Sequence, residues 1–191
     1  MMWKHYLKSL KLISRRFFRN EKLFDIILYG SVVKGKDEPR DIDIALIFLD
    51  AGIKERLEIA QKFKKNLPKG LKFDIQTLNA ADFFDAGFFA RHGILIEGYS
   101  LVSNKKFSEK LGFKGYSLFS YKLGNLDHNK KTLFIYSLSG RGETEGMVKK
   151  VNGESIGRGA FFVPIENSLI FEQFLDKWRI KYLKRNILVQ L

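Results

Sequence analysis

Three aspartates lie inside or beside apolar, strand-like runs and are candidates for binding a cation. Asp41 and Asp43 are separated by one residue, so on a β-strand their carboxylates leave one face while Ile42 and Ile44 point to the other. Asp74 interrupts a later alternating run. Clustered carboxylates in a buried sheet repel one another and need a compensating charge, which Mg²⁺ can supply. We therefore predict that these three aspartates ligate one or two Mg²⁺ ions and are the catalytic residues of a phosphoryl-type transfer, whereas ordinary solvent-facing positions are the alternative.

A Gly-Ser pair ten residues upstream is a candidate phosphate contact. Gly30 and Ser31 follow a strand-like run, and a glycine there lets backbone N–H groups and the serine hydroxyl approach a phosphate. Lys34, Lys36 and Arg40 lie in the same loop and could neutralise a triphosphate. We predict that Gly30, Ser31, Lys34 and Arg40 bind the nucleotide. The alternative is an ordinary capped turn followed by a solvated loop.

The hydrophobic pattern predicts the elements that would position these residues. Short β-branched or alternating runs indicate strands, and apolar residues at helical spacing indicate helices. The predicted strands are 24–29, 42–48 and 71–78, and the predicted helices are 3–17, 57–63 and a segment after Asn79. That last helix carries a set of apolar residues that we expect in the core, namely Phe83, Phe84, Phe88, Phe89 and Ile94.

The order and spacing of these residues resemble the signature of the DNA polymerase beta-like nucleotidyltransferase superfamily, particularly its minimal members. The resemblance runs over about residues 20–102: Leu-Tyr-Gly-Ser at 28–31, Asp-Ile-Asp-Ile at 41–44, Asp74, and a Glu-Gly-x-x-Leu ending at 97–101. It implies a mixed α/β sheet, an NTP (with ATP as the expected nucleotide) and Mg²⁺. It further implies transfer of a nucleoside monophosphate to a hydroxyl with release of pyrophosphate.

Matching positions in the family pattern imply individual roles. Gly30 and Ser31 would hold the triphosphate, Asp41 and Asp43 would ligate the metal, and Asp74 would complete the site near the attacking hydroxyl. The acceptor is left open among RNA, a protein side chain and a small molecule. Two further alternatives remain: a catalytically silent nucleotide- or nucleic-acid-binding module, and an antitoxin-like regulatory partner of a small toxin.

Composition limits the kind of protein this is. Eighteen Phe among 191 residues exclude a disordered chain, and the absence of Cys excludes disulfides, thiolate zinc sites and a cysteine nucleophile. No run approaches the roughly 20 apolar residues of a membrane-spanning helix, so we expect a cytoplasmic protein with no membrane partner. The net charge of +13 favours polyanionic partners, although a lysine-rich surface that only maintains solubility is an equal alternative. The oligomeric state stays open.

The sequence pattern changes near residue 105, after which short apolar runs alternate with Gly- and Asn-rich turns. We predict an α/β (α+β) chain: a nucleotidyltransferase-like domain over 1–105, followed by a smaller, basic and β-rich module over 106–191. The predicted elements of that module are short apolar runs at 118–123, 132–138, 147–151 and 160–164, a hairpin signal at Asn152-Gly153, a helix over 169–178 and a strand over 182–189. Arg141 and Arg158, set among glycines, could contact a nucleic-acid backbone. A set of aromatic residues could stack bases or could be core, namely Tyr116, Phe119, Tyr121, Phe134 and Tyr136.

Overall fold

The structure is a computed structural model that describes residues 2–20, 22–34, 36, 39–124 and 126–191. Its contacts divide the chain into two units, the first over 1–113 together with Leu191 and the second over Lys114–Gln190. The division falls a few residues later than the position estimated from sequence. The reason is the short helix Phe107–Lys110, because the Phe107 side chain is buried in the core of the first unit. Among the helices of the described residues, none combines the length and the hydrophobicity that crossing a bilayer requires.

The first unit is built on a mixed sheet flanked by helices. Its strands are β1 (Leu23–Tyr29), β2 (Ile42–Phe48), β3 (Phe73–Asn79) and β4 (Tyr99–Ser100), and its helices are α1 (Met2–Asn20), α2 (Ile53–Lys65) and α3 (Phe107–Lys110). In the described part of the chain the strand order is β3-β2-β1-β4. Strands β2 and β3 are parallel, whereas β1 is antiparallel to both β2 and β4. This mixed sheet confirms the predicted fold class.

Strand alternation divides the apolar residues of this sheet between two cores. Ile42 and Ile44 pack with Leu10 of α1 and Phe63 of α2 in one core. On the other face Ile27, Tyr29, Ala45 and Ile47 pack with Phe107, among other residues. Because side chains alternate along a strand, Asp43 shares the second face with Ala45 and Ile47. The central strands are therefore apolar on both sides, and their polar positions are confined to the strand ends.

The single helix predicted after Asn79 does not form. The chain instead makes a 3₁₀ turn at Ala80–Phe84 and a π-helical turn at Gly93–Glu97. The cause is local competition by polar side chains, since Asp82 accepts a hydrogen bond from the Asn79 N–H and Asp85 accepts one from the Gly87 N–H, each 2.8 Å long. The prediction that all of its aromatic residues are core is also wrong, because Phe84 and Phe89 are 90% and 83% exposed.

The second unit combines a four-stranded sheet with helices. Its strands are β5 (Phe113–Tyr121), β6 (Gly140–Arg141), β7 (Thr144–Glu145), β8 (Glu154–Gly157), β9 (Ala160–Pro164) and β10 (Tyr182–Gln190). The first residue of β5 belongs to the first unit. The helices of the second unit are α4 (His128–Ser139), α5 (Met147–Lys150) and α6 (Ser168–Lys177). Over the described residues the larger sheet has the order β10-β5-β9-β8, and β6 pairs with β7. Strand β9 is antiparallel to β5 and to β8. The predicted helix near 169–178 and the predicted strand near 182–189 are both present.

Three expectations for this unit are corrected. The run 132–138 belongs to α4, whose start is capped by the Asp127 carboxylate accepting a 2.9 Å hydrogen bond from the Lys130 N–H. The run 147–151 is mostly α5, and Asn152, with φ of +52°, ends that helix instead of turning a hairpin. The aromatic platform is wrong for Phe119 and Phe134, which are fully buried in the core.

Candidate active site

The sheet register brings two of the three predicted aspartates side by side. Tyr29, at the end of β1, is paired with Asp43 near the start of β2, and Asp43 is paired with Asp74 near the start of β3. Because β2 and β3 are parallel, they begin at the same edge of the sheet. Asp41 directly precedes β2 and is half-buried, as Asp43 is, whereas Asp74 is exposed. This edge of the sheet therefore carries three carboxylates, of which the Asp74 carboxylate is exposed to solvent.

Gly30 is packed directly against one of these carboxylates. It follows β1 with φ of +78°, a conformation that side-chain-bearing residues rarely adopt. A Cβ atom added there would lie 2.0 Å from the Asp43 Oδ2 atom. The glycine predicted for close approach to a phosphate is thus also required for the chain to turn past Asp43.

The carboxylates at this edge influence one another electrostatically. The pKa of Asp43 is raised first by burial, then by the negative charges of Asp41 and Asp74, and is partly lowered by the Lys34 ammonium. Burial, Asp43 and Asp74 together also raise the pKa of the Tyr29 hydroxyl well above its usual range. The three aspartates and Lys34 therefore lie within electrostatic reach of one another. The net effect is that the negative charge of Asp43 is disfavoured in the folded protein.

Lys34 is held by an acidic residue that the sequence reasoning did not assign to the site. Its Nζ atom lies 2.9 Å from the Glu97 Oε1 atom in an ion pair whose carboxylate side chain is only 5% exposed. Glu97 ends the π-helical turn and was noted only as part of the Glu-Gly ending of the family pattern. An acidic residue that directly follows the apolar run Ile94–Ile96 was the available signal for a buried, paired charge.

The other residues predicted for the site, Ser31, Lys36 and Arg40, lie in the loop that follows β1. Ser31 is half-buried in the 3₁₀ turn after β1, and its carbonyl accepts a 3.1 Å hydrogen bond from the Lys36 N–H. Arg40 and Lys36 are both exposed. Over the residues that are described, Arg40 makes no hydrogen bond or ion pair with the site. The structure therefore gathers Gly30, Asp41, Asp43, Asp74 and Lys34, and leaves Arg40 at the rim of the loop.

Oxygen donors at this edge suit a hard divalent cation. Within the described ranges, no group of three or more His, Asp or Glu side chains is arranged to hold a metal ion by itself. Mg²⁺ usually takes only one or two carboxylates together with water and phosphate oxygens, so it does not need an all-protein cage. Burial and the neighbouring negative charges both raise the pKa of Asp43, and a bound cation would favour its ionised form, so this donor set fits Mg²⁺.

The candidate site combines a mixed sheet, paired aspartates at its edge and a Gly-Ser turn. Residues 11–106, half of the chain, match the family described as polymerase beta, nucleotidyltransferase. The protein therefore belongs to this family. No relative is found among curated proteins. A similar solved structure, a toxin-antitoxin with AMP-PNP, is 23% identical, covers 53% of this chain and 78% of its own, and superposes with a TM-score of 0.38.

Proposed function

We propose that this protein is a Mg²⁺-dependent nucleotidyltransferase that moves a nucleoside monophosphate from an NTP, with ATP as the expected nucleotide, to an acceptor hydroxyl. The hydroxyl oxygen forms a bond to the α-phosphorus, the bond from that phosphorus to the α–β bridging oxygen breaks, and pyrophosphate leaves. One observation carries the proposal. Asp43 is packed against Gly30, and its pKa is raised first by burial and then by the negative charges of Asp41 and Asp74, an arrangement in which a bound cation would favour the ionised carboxylate.

The residues of the edge would then have separate tasks. Bound Mg²⁺ would neutralise the phosphate oxygens and the carboxylates of Asp41 and Asp43. Lys34, positioned by Glu97 and 28% exposed, can offer its ammonium to the triphosphate. Asp74 is exposed on β3 and can orient the acceptor hydroxyl and accept its proton.

Label transfer from α-³²P-NTPs tests the proposal. The protein is incubated with Mg²⁺ and each NTP, alone and with cellular RNA or protein extract, and the labelled product is identified. We expect Asp74→Asn to keep nucleotide binding but to lower transfer by about 10²–10⁴-fold, the usual contribution of a positioned acid–base group. The matched control is Asp50→Asn, an exposed aspartate just beyond the other end of β2, which should leave transfer unchanged.

Two outcomes would contradict the proposal. Near-normal turnover by Asp74→Asn would remove the role assigned to that carboxylate. An absence of label in every combination, with nucleotide binding retained, would favour the catalytically silent binding module.

A further inference from the structure

A cavity of about 720 Å³ opens at one edge of the sheet of the second unit. It lies where β5 ends at Tyr121, β9 begins at Ala160 and β10 begins at Tyr182. The Tyr121 N–H donates a 2.9 Å hydrogen bond to the Gly159 carbonyl, which ties the β8–β9 turn to the end of β5. The cavity is therefore formed by strand ends of one unit and not by a mobile surface loop alone.

The charged residues that line this cavity all carry the same sign. Lys122, Arg158 and Lys181 are exposed at its rim, and no carboxylate is among the lining residues that the structure describes. Some basic residues elsewhere in the same unit are paired with acids, as in the ion pairs Lys184–Glu172 (3.1 Å) and Lys149–Glu145 (2.7 Å). Over the described residues, none of the three cavity cations pairs with an acid. A rim of uncompensated cations attracts an anionic ligand.

The floor of the cavity is apolar and aromatic. Tyr121 and Tyr182 are half-buried, and the Leu183 side chain beside them is 52% exposed. The Tyr121 ring lies parallel to Phe161 at a centroid distance of 6.0 Å, so core packing holds it in place. Burial raises the pKa of Tyr121 to about 12, and burial together with the carboxylates of Glu172 and Asp176 raises the pKa of Tyr182 to about 12, so neither hydroxyl adds a negative charge at neutral pH. A ligand that combines phosphates with flat, partly apolar rings matches both the rim and the floor.

A glycine fixes the shape of the rim. Gly159 has φ of +70°, and a Cβ atom there would lie 2.7 Å from the Tyr121 carbonyl oxygen. This close approach positions the neighbouring Arg158 at the cavity mouth. Gly124 also lines the cavity but has no atom within 4 Å of an added Cβ. A side chain at position 159 would therefore disturb the shape of the cavity, whereas one at position 124 would not.

We propose that this cavity is a binding site for single-stranded nucleic acid, with phosphates at Lys122, Arg158 and Lys181 and a base against Tyr121, Tyr182 and Leu183. The inference goes beyond the transferase activity and does not depend on it. The charge of the whole chain, +13, has the sign that such a partner requires. Since RNA and DNA share phosphates and bases, both are included in the test.

Fluorescence anisotropy of the full chain with labelled single-stranded RNA and DNA 12-mers, without NTP or Mg²⁺, measures this binding. We expect the triple variant Lys122→Ala, Arg158→Ala, Lys181→Ala to weaken binding by about tenfold or more. Loss of three phosphate contacts should also make the slope of log K against log salt concentration less negative by about 2. The charge-matched control is Lys150→Ala, Lys177→Ala, Arg185→Ala, which removes three exposed cations that do not line the cavity. Circular-dichroism melting of both triple variants verifies that they remain folded.

Three comparisons decide the result. Gly159→Ala should weaken binding, whereas Gly124→Ala should not. Excess poly-glutamate or an abasic phosphodiester of equal length should compete poorly, because neither supplies bases. Equal loss in both triple variants, or equal competition by these base-free polyanions, would overturn the proposal and indicate non-specific charge attraction. Asp74→Asn should bind like the unmodified chain, so failure of the transferase hypothesis would be visible separately.

Discussion

Two carboxylates on the same face of the first sheet have opposite surroundings. Asp25 is fully buried near the start of β1, where the Ser100 hydroxyl donates to it at 2.7 Å, the Ile26 N–H donates at 2.8 Å, and the Lys110 ammonium pairs with it. Asp43, at the opposite end of the same strand pair, has its pKa raised first by burial and then by the nearby carboxylates of Asp41 and Asp74.

The difference distinguishes a structural acid from a functional one. A buried carboxylate with an internal cation and donated hydrogen bonds is satisfied by the fold. Asp43 has its charge disfavoured by its neighbours, and the partial compensation comes from Lys34, which is already paired with Glu97. The first arrangement compensates the charge within the protein, so losing one partner is costly, and the second leaves room for a cation from outside.

Removing the structural acid should have the largest effect. Asp25→Ala leaves Lys110 without its partner and should lower the free energy of unfolding by about 3–5 kcal/mol, measured by urea denaturation. Lys22→Ala, which breaks the exposed Lys22–Glu55 pair, is the control and should change stability by less than about 1 kcal/mol. If Asp25→Ala does not fold, Ser100→Ala, which removes one hydrogen bond, should still cost about 1–3 kcal/mol. Equal effects of Asp25→Ala and Lys22→Ala would show that the buried pair has no structural role.

Displacing Asp43 should come next. Gly30→Ala puts a methyl group within 2.0 Å of the Asp43 Oδ2 atom at a φ of +78°, so the carboxylate must move. A displacement of about 1 Å should lower transfer by about 100-fold. Gly52→Ala is the matched control, since its φ is −66° and no atom lies within 4 Å of an added Cβ. Similar rates for the two alanine variants would argue against a constrained Asp43.

Neutralising Asp43 should remove the metal response and slightly stabilise the apoprotein. The pKa of Asp43 is raised in the folded state, so folding takes up a proton, and stability falls as pH rises from the ordinary value of 3.8 through the raised pKa. Asp43→Asn removes this penalty and should raise Tm by about 1–2 °C at neutral pH without Mg²⁺. Added Mg²⁺ should raise the Tm of the unmodified protein but not that of the variant. A Mg²⁺-dependent shift that persists in Asp43→Asn would place the cation elsewhere.

Removing the nearby cation should have the smallest effect. Lys34 lowers the pKa of Asp43, so Lys34→Met should move the acid limb of the pH–rate profile to higher pH by less than about one unit and raise KM for the NTP. The double variant Lys34→Met, Glu97→Gln avoids leaving a buried charge unpaired and should show the same shift. Lys36→Met removes an exposed lysine of the same loop as the control and should leave the profile unchanged. An identical profile for Lys34→Met and Lys36→Met would remove Lys34 from the site.

Sequence patterns were most informative where one period dominates. The runs that became β1 and β2 are continuous and β-branched, so their strands and the position of Asp43 on the same face as Ala45 and Ile47 were predictable. The pattern failed at Phe83–Phe89, where the hydrogen bonds of Asp82 and Asp85 break the helix. It also failed at 132–138, because the helical spacing of buried Phe134 and Leu138 was not recognised in a short apolar run.

Local order in the chain was enough to indicate the strands, the Gly-Ser turn and the aspartates at strand positions, because strand period and turn chemistry depend on neighbouring residues, whereas the mixed sheet was expected from the family resemblance. Only the tertiary structure determines which charged side chains form ion pairs. Asp25 and Lys110 are 85 positions apart, and Lys34 finds Glu97 only after the chain has returned to the same edge of the sheet. The cation-lined cavity likewise requires three strand ends from separate parts of the second unit. Such pairings depend on distances in space, which no local pattern encodes.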